Sequence, residues 1–110
     1  MQITIKATGV ELTPALNTYV QVKFGKLERF LKELAPSELI KIEIGEPSRH
    51  HRKGDVFYAE ANLSLNKKLL RAEAYNKDLK SAINEVYEDL ESQIKKLKDK
   101  VKEHHHESCI

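Results

Sequence analysis

The sequence predicts an α+β domain of two layers, in which a four-stranded sheet carries two long helices on one face. Four segments alternate apolar and polar residues, which is typical of half-buried strands. Two longer segments repeat apolar residues every three or four positions, which is typical of amphipathic helices. The order along the chain is β-α-β-β-β-α. Because each strand has one apolar face and each helix one apolar stripe, both helices should cover the same side of the sheet.

The first strand and the first helix are predicted from alternation and from capping residues. The strand covers residues 2–8 and ends at Gly9. Thr13 is suited to cap the next helix, and Pro14 suits the first helical position, where its missing N–H costs nothing. Pro36 should end this helix. Its predicted apolar stripe consists of Leu16, Val20, Phe24, Leu27, Leu31 and Leu34.

Three more strands follow in the sequence. The second strand is predicted over residues 39–44, the third over 57–65 and the fourth over 70–75, with a short turn at 66–68 that makes the last two strands a hairpin. The β-α-β start requires parallel first and second strands joined by a right-handed crossover. The remaining strands should continue as an antiparallel meander.

The last helix is predicted from Asn76 to about Glu103, with Asn76 or Asp78 as its cap. Outside its apolar stripe the early half is acidic and the late half is basic, so its charges complement the helix dipole. The domain is therefore predicted to cover residues 1–103, followed by a disordered tail at 104–110. The stripe itself consists of Leu79, Ile83, Val86, Leu90, Ile94, Leu97 and Val101.

Length and charge limit the classes of function. A chain of 110 residues makes one domain. Its net charge is only +2, so binding to a nucleic acid would have to come from local basic patches. No apolar run approaches the roughly 18 residues that span a membrane, and no secretory signal is visible at the N-terminus. With the single Cys109, these features predict a cytoplasmic protein without membrane association.

The sequence carries no recognisable catalytic constellation. It has no Gly-rich phosphate loop, no nucleophile elbow and no paired acid and base in a known setting. Consecutive histidines at residues 104–106, with Cys109, lack the spacing and the second shell that a metal site needs. We therefore expect no enzyme, no catalytic residue, no metal, no cofactor and no small-molecule substrate.

Basic residues form the one constellation with a coherent purpose. If the two helices lie side by side, their basic clusters face outward together, and such a surface suits a phosphate backbone. Aromatic residues are few, which favours recognition of RNA shape and backbone over stacking on bases. The alternative is a solvated surface, since 33% of the residues are charged. The clusters are Lys23, Lys26, Arg29 and Lys32 in the first helix, and Lys95, Lys96, Lys98, Lys100 and Lys102 in the second. The loop at residues 49–53 adds a basic block.

Three blocks of sequence carry a resemblance to a known family. The first reads GVELTPAL at residues 9–16 and continues through residues 19–20, 23–24 and 26–30; the second joins 70–73 to 78–84; the third covers 90–100. In this order and at this length, over about residues 1–103, the chain resembles the ribosome hibernation-promoting factor family. That family is also called ribosome-associated inhibitor A or the sigma-54 modulation protein family.

The resemblance implies the same fold and a non-enzymatic inhibitor of translation. Such a protein binds the small ribosomal subunit and its ribosomal RNA, in the channel for messenger and transfer RNA, during stress or stationary phase. The chain resembles the short form, without the added dimerisation domain, so a monomer off the ribosome is expected. The positions that match the family's RNA-contacting residues are Lys23, Lys26, Arg29, Lys96, Lys98, Lys100 and Lys102.

One departure from the family pattern and two alternative functions qualify this interpretation. The family's usual Asp-Met-Tyr-x-Ala-Ile-Asp block reads here with Leu79, Lys80 and Asn84, so its tyrosine and second aspartate are absent. A general double-stranded RNA-binding domain also packs helices on one sheet face, although such domains grip phosphate from the start of their last helix. A regulatory protein-interaction module or dimer would instead use the acidic half of the last helix and the polar sheet face, with Thr4, Lys6, Lys41, Glu43, Glu60, Asn62, Arg71 and Glu73.

Overall fold

The computed structural model describes residues 2–31, 39–46, 56–65 and 68–108, with side chains on the last helix as far as residue 99. The strands are β1 (Gln2–Thr8), β2 (Leu39–Gly45), β3 (Phe57–Leu65) and β4 (Lys68–Asn76). The helices are α1 (Pro14–Gly25), α2 (Glu28–Leu31) and α3 (Leu79–Ser108).

The four strands form one mixed sheet in the order β1-β2-β3-β4. β1 is parallel to β2, and the other two pairs are antiparallel. The register places Ile3 opposite Ile40 and Ile40 opposite Leu63, so apolar side chains line up across one face. The predicted fold class and strand topology are confirmed.

The core lies between the sheet and the helices, and alanines determine where α3 packs. Ala59 lies opposite Ala74, and Ala61 lies opposite Ala72, which makes a small-residue platform on β3 and β4. α3 packs chiefly on these two strands, while α1 packs on β1. Small side chains allow the backbone of a helix to approach a sheet closely. The fully buried residues of the predicted helical stripes are Val20, Phe24, Leu27, Leu31, Ile83, Val86, Leu90 and Ile94. Leu34 and the side chain of Val101 lie outside the described residues.

Side-chain caps begin both long helical segments. The Thr13 hydroxyl accepts a hydrogen bond from the Leu16 N–H at 3.1 Å, as predicted. For α3 the cap is Asp78, whose carboxylate accepts from the Ser81 N–H at 3.2 Å. Asn76, the other candidate, instead accepts from the Asp78 N–H at 3.0 Å and stabilises the turn that leads into the helix.

The first helix is not the single long helix that the sequence predicts. α1 ends at Gly25, and the next amides bond three residues back rather than four: the Leu27 N–H donates to the Phe24 carbonyl at 3.0 Å. α2 then adds one turn. Glycine has a low helix propensity, so the tightening occurs beside Gly25. Leu27 and Leu31 nevertheless stay buried, because the chain keeps its helical sense through the tight turn.

The last helix is longer than predicted, since α3 continues to Ser108 instead of ending near Glu103. No glycine or proline interrupts residues 79–108, so no local signal stops the helical backbone. The α3 backbone includes residues 104–108 of the expected tail, and residues 109–110 lie outside the described residues. The division of the chain into a domain at 1–103 and a tail at 104–110 stays a prediction. Lys32, the basic loop at 49–53 and residues 66–67 of the predicted turn lie outside the described residues. Lys68, the third residue of that turn, belongs to β4, which begins two residues earlier than predicted.

Candidate nucleic-acid interface

α1 and α2 lie beside α3, and side chains join them along a line that we call the seam. Its residues are Tyr19, Lys23, Phe24, Arg29 and Phe30 on α1 and α2, and Lys80, Asn84, Tyr87, Glu91 and Lys95 on α3. The Tyr19 hydroxyl of α1 donates a hydrogen bond to the Asn84 side-chain oxygen of α3 at 2.7 Å. Deeper in the seam, the rings of Phe24 and Tyr87 meet edge to face, with centroids 5.7 Å apart. Edge-to-face pairs stabilise beyond the area that they bury, so these contacts fix the spacing of the helices.

Three predicted basic residues meet at the seam, and each comes from a different helix. Lys23 of α1 places its Nζ 5.1 Å from the centroid of the Tyr87 ring. The Phe30 ring lies between the other two: the Arg29 guanidinium carbon is 5.0 Å and the Lys95 Nζ 5.3 Å from its centroid. A cation over an aromatic face at an exposed site gains about 0.5–1 kcal/mol. The rings therefore hold these flexible cations in place.

A hydrogen bond from Tyr87 to Glu91 and an ion pair from Glu91 to Lys95 position the Lys95 side chain. The Tyr87 hydroxyl donates to a Glu91 carboxylate oxygen at 3.0 Å, and the other oxygen lies 3.7 Å from the Lys95 Nζ. Burial raises the pKa of the Tyr87 phenol, the hydrogen bond and charge of Glu91 raise it further, and the charge of Arg29 lowers it. Tyr87 therefore stays a neutral donor at physiological pH, and Glu91 keeps both of its partners.

The remaining predicted residues do not all join this cluster. Lys26 is exposed at the C-cap of α1, where it lines an open recess with Glu28 and Arg29. Lys98 is partly exposed and continues the spacing of Lys95, so the helical period places it on the seam side of α3. Lys96 is exposed and, by the same period, lies on the solvent side away from the seam. Lys100 and Lys102 belong to the α3 backbone, but their side chains lie outside the described residues.

Two acidic residues of α3, Glu85 and Asp89, lie on its other flank, beside the edge strand β4. Asn76 of β4 donates to Glu85 at 2.9 Å. The Gln93 amide donates to the Arg71 carbonyl of β4 at 2.9 Å and to Asp89 at 3.3 Å. The sequence suggests a gradient from an acidic half to a basic half of the helix. The structure adds a division between the two flanks of the helix: Glu85 and Asp89 lie toward β4, whereas Lys80 and Lys95 lie toward α1 and α2.

Several residues of the seam were missed by sequence reasoning. A signal was present for those on α3, each of which follows a residue of the buried stripe by one position, so that they form a second line with the same spacing. What the spacing does not reveal is that α1 packs against this flank of α3 and not against the other. The missed residues are Tyr19, Lys80, Asn84, Tyr87 and Glu91.

The opposite sheet face is polar, as predicted, and its charges pair with one another. Glu43, Glu60 and Glu73 lie directly opposite each other across three strands, an arrangement that destabilises a sheet when left uncompensated. The Tyr58 hydroxyl donates to Glu43 at 2.6 Å, and Arg71 pairs with Glu60 at 2.5 Å and with Glu73 at 3.4 Å. These local partners compensate the three glutamates.

Among the described residues, no three His, Cys, Asp or Glu side chains cluster in a way that would hold a metal ion. None of the described helices is long and apolar enough to cross a membrane.

The fold and the seam define a class of protein: a small α+β binding domain that presents a basic, aromatic-lined helical surface. The particular family is shown by the sequence. The profile of the sigma 54 modulation protein / S30EA ribosomal protein family matches residues 3–102 of this chain. The chain belongs to this family, whose members are binding proteins and not enzymes. The resemblance stated from the sequence is thereby confirmed.

Individual relatives agree with this assignment. The chain is 32% identical to the ribosome hibernation promoting factor of Klebsiella oxytoca, over 94% of this chain and 100% of that one. It is 31% identical to the same factor of Escherichia coli K12, with the same coverage. Against the ribosome hibernation promotion factor of Bacillus subtilis it is 31% identical over 92% of its length, and it spans half of that longer protein.

Solved structures show the same architecture. The crystal structure of the Thermus thermophilus protein Y N-terminal domain matches with a TM-score of 0.73 and 26% identity, covering 88% of this chain and 99% of that one. A ribosomal subunit interface protein from Coxiella burnetii also gives a TM-score of 0.73, at 22% identity over 90% of this chain and 99% of that one, which is a likeness of fold.

Proposed function

We propose that the protein binds the small ribosomal subunit through ribosomal RNA, in the channel that messenger and transfer RNA occupy, and thereby inhibits translation during stress or stationary phase. The observation that carries this proposal is the seam, where Lys23, Arg29 and Lys95 from three helices meet on two aromatic rings. Family membership and relatives named as hibernation factors support the ribosome as the partner.

The mechanism is electrostatic and steric. Lysine and arginine side chains displace counterions from phosphates, which supplies affinity without reading base sequence. Holding the cations on rings before binding reduces the entropy that is lost when they meet the RNA. Once bound, the domain excludes messenger and transfer RNA by its volume. The proposed RNA-binding residues are Lys23, Lys26, Arg29, Lys95, Lys96, Lys98, Lys100 and Lys102.

Other parts of the proposal follow from this role. The protein would act in the cytoplasm as a monomer off the ribosome, with residues 1–103 as the binding domain and 104–110 as a tail. A module that binds a protein through the sheet face is less well supported, because Arg71 and Tyr58 already occupy the carboxylates there.

The test is gradient sedimentation of ribosomes with and without added protein, combined with a translation assay. The protein should migrate with small subunits, and it should lower translation in proportion to the fraction of subunits bound. Subunits already programmed with messenger and transfer RNA should bind it more weakly, since the channel is filled. Equal affinity for programmed and empty subunits would contradict the channel. Equal affinity for a plain RNA duplex would favour a general RNA-binding domain.

A further inference from the structure

The first turn of α3 carries a cation that the predicted set of RNA-binding residues omits. Lys80 is exposed, and its Nζ lies 5.2 Å from the centroid of the Tyr19 ring in α1. Tyr19 is held in turn by the hydrogen bond from its hydroxyl to Asn84. Lys80 and Asn84 are the two positions where the chain departs from the family's usual tyrosine and aspartate. Both departures therefore contact the same tyrosine.

The lysines of the seam follow a common pattern, because each ammonium lies over a ring from the neighbouring helix. Lys80 of α3 lies over Tyr19 of α1, and Lys23 of α1 lies over the Tyr87 ring of α3. Lys95 of α3 lies over a ring of α2. Across the seam, the lysines of one helix thus lie over aromatic rings of another. Lys80 belongs to this arrangement as fully as the two lysines that the sequence identifies.

We infer that Lys80 is a further phosphate-binding residue and that the phosphate-binding row runs along the seam from Lys80 to Lys95. This inference rests on the proposed function, because it assumes that the seam meets ribosomal RNA. It extends that function from the late turns of α3 to its first turn. It also identifies the ligand as an extended RNA backbone.

The length of the row decides the class of ligand. Lys80 and Lys95 are 15 positions apart, which corresponds to about 22 Å along an α-helix. A single phosphate or a mononucleotide cannot reach both ends. A nucleic-acid backbone presents a phosphate every few ångströms, so it can meet Lys80, then Lys23 and Arg29, and then Lys95.

The carboxylates near the row lie far from Lys80 or have local partners. Glu91, eleven positions after Lys80, pairs with Lys95 at the far end of the row. Glu85 and Asp89 bond to groups on the β4 flank. Asp78, two positions before Lys80, accepts hydrogen bonds from the N–H and the hydroxyl of Ser81. Lys80 therefore offers its positive charge to an approaching phosphate.

The experiment measures affinity for small ribosomal subunits over a range of salt concentrations, for the wild type and for two matched variants. Lys80→Gln removes the cation of the seam. Lys77→Gln makes the same change of charge at an exposed residue three positions earlier, before the helix begins. Loss of one phosphate contact lowers the log–log salt slope by about one unit. We expect this decrease for Lys80→Gln, a wild-type slope for Lys77→Gln, and a restored slope for Lys80→Arg.

The outcomes separate this inference from the function on which it rests. A wild type that binds with a steep salt slope, together with an unchanged slope for Lys80→Gln, would overturn the inference and leave the proposed function standing. An equal decrease for Lys77→Gln would also overturn it, because general electrostatics would then explain the effect. If the wild type does not bind small subunits, both proposals fail.

The role of the ring is tested separately at Tyr19. Tyr19→Leu removes the aromatic face but keeps the charge of Lys80, so binding should weaken several-fold while the salt slope stays near that of the wild type. Tyr19→Phe keeps the ring and loses only the hydrogen bond to Asn84, so it should bind more tightly than the leucine variant. Equal binding by the two variants, with unchanged circular dichroism, would show that the ring does not position the cation.

Discussion

At Tyr87 a single side chain connects the core to the charged surface. Its ring meets Phe24 on the buried side and carries the Lys23 ammonium, and its hydroxyl holds Glu91, which pairs with Lys95. Each contact is worth on the order of 1 kcal/mol. Together they couple cations on two helices to one rigid ring, so the site depends on a residue that carries no charge itself.

A second tyrosine, on the opposite face, allows a prediction about pH. Burial, followed by the hydrogen bond to Glu43 and the charge of Glu43, raises the pKa of Tyr58 from about 10 to about 12. In the unfolded chain the phenol ionises near pH 10, while the folded protein keeps the proton. This residue therefore leaves stability unchanged below pH 10 and makes it fall as pH rises from 10 to 12.

Two measurements check this value. Phenolate absorbance should show one tyrosine that ionises last, near pH 12, and Tyr58→Phe should lack that step. Glu43→Gln should move the step to lower pH, because it removes the negative charge and weakens the acceptor. Urea denaturation should show a smaller loss of stability between pH 10 and 12 for Tyr58→Phe than for the wild type. A Tyr58 phenol that ionises together with the exposed tyrosines would contradict the structure.

At the scale of the elements, the interruption between α1 and α2 shows where sequence patterns stop being sufficient. The apolar stripe passes through Gly25 without a break, so periodicity alone predicts one helix as far as Pro36. The pattern correctly predicts that Leu27 and Leu31 are buried. It cannot predict the change from four-residue to three-residue hydrogen bonds, because both spacings keep these side chains on the same face.

Two glycines in different elements should respond in opposite ways to an added methyl group. A Cβ on Gly25 would meet no atom within 4 Å, so Gly25→Ala should stabilise the end of α1 by about 0.5–1 kcal/mol. Gly45 lies opposite Thr8 in the parallel pair, and its Cβ would overlap the Thr8 carbonyl. Gly45→Ala should therefore cost about 1–3 kcal/mol.

The measurement is the free energy of unfolding in urea for both variants, with the wild type as reference. A destabilising Gly25→Ala would indicate that the open space beside α1 is filled in solution. A neutral Gly45→Ala would indicate that β1 and β2 do not pair as closely as the register requires.

Across the elements, the strands and the buried stripes were predictable because each depends on local periodicity, and the parallel first pair followed from the β-α-β connection. The alternation of Ile40, Ile42 and Ile44 was enough to place β2 in the core. The seam was not predictable in the same way. Asn84 and Tyr87 form it only because α1 packs against their flank of α3. That choice depends on where each helix packs on the sheet, α3 on the alanine platform of β3 and β4 and α1 on β1.

At the scale of the whole molecule, the two faces differ in charge, and the net charge does not show this difference. The net charge of +2 hides two surfaces of different character. The strand residues of the sheet face hold Lys6, Lys41 and Arg71 against three glutamates, whereas the seam gathers cations from three helices around a single carboxylate. Binding driven by counterion release follows such local clusters. The helical side of the domain is therefore the side that should meet RNA.

The most direct test compares two double variants with the same change of charge. Lys23→Gln with Lys95→Gln removes two cations of the seam, and Lys6→Gln with Lys41→Gln removes two exposed cations of the sheet face. Affinity for small ribosomal subunits is measured across salt concentrations, with circular dichroism to confirm the fold. The seam variant should bind more weakly, with a log–log slope lower by about two units, and the sheet variant should bind as the wild type does. Equal loss in both variants, or unchanged binding by the seam variant, would contradict the assignment of the seam as the RNA-binding surface.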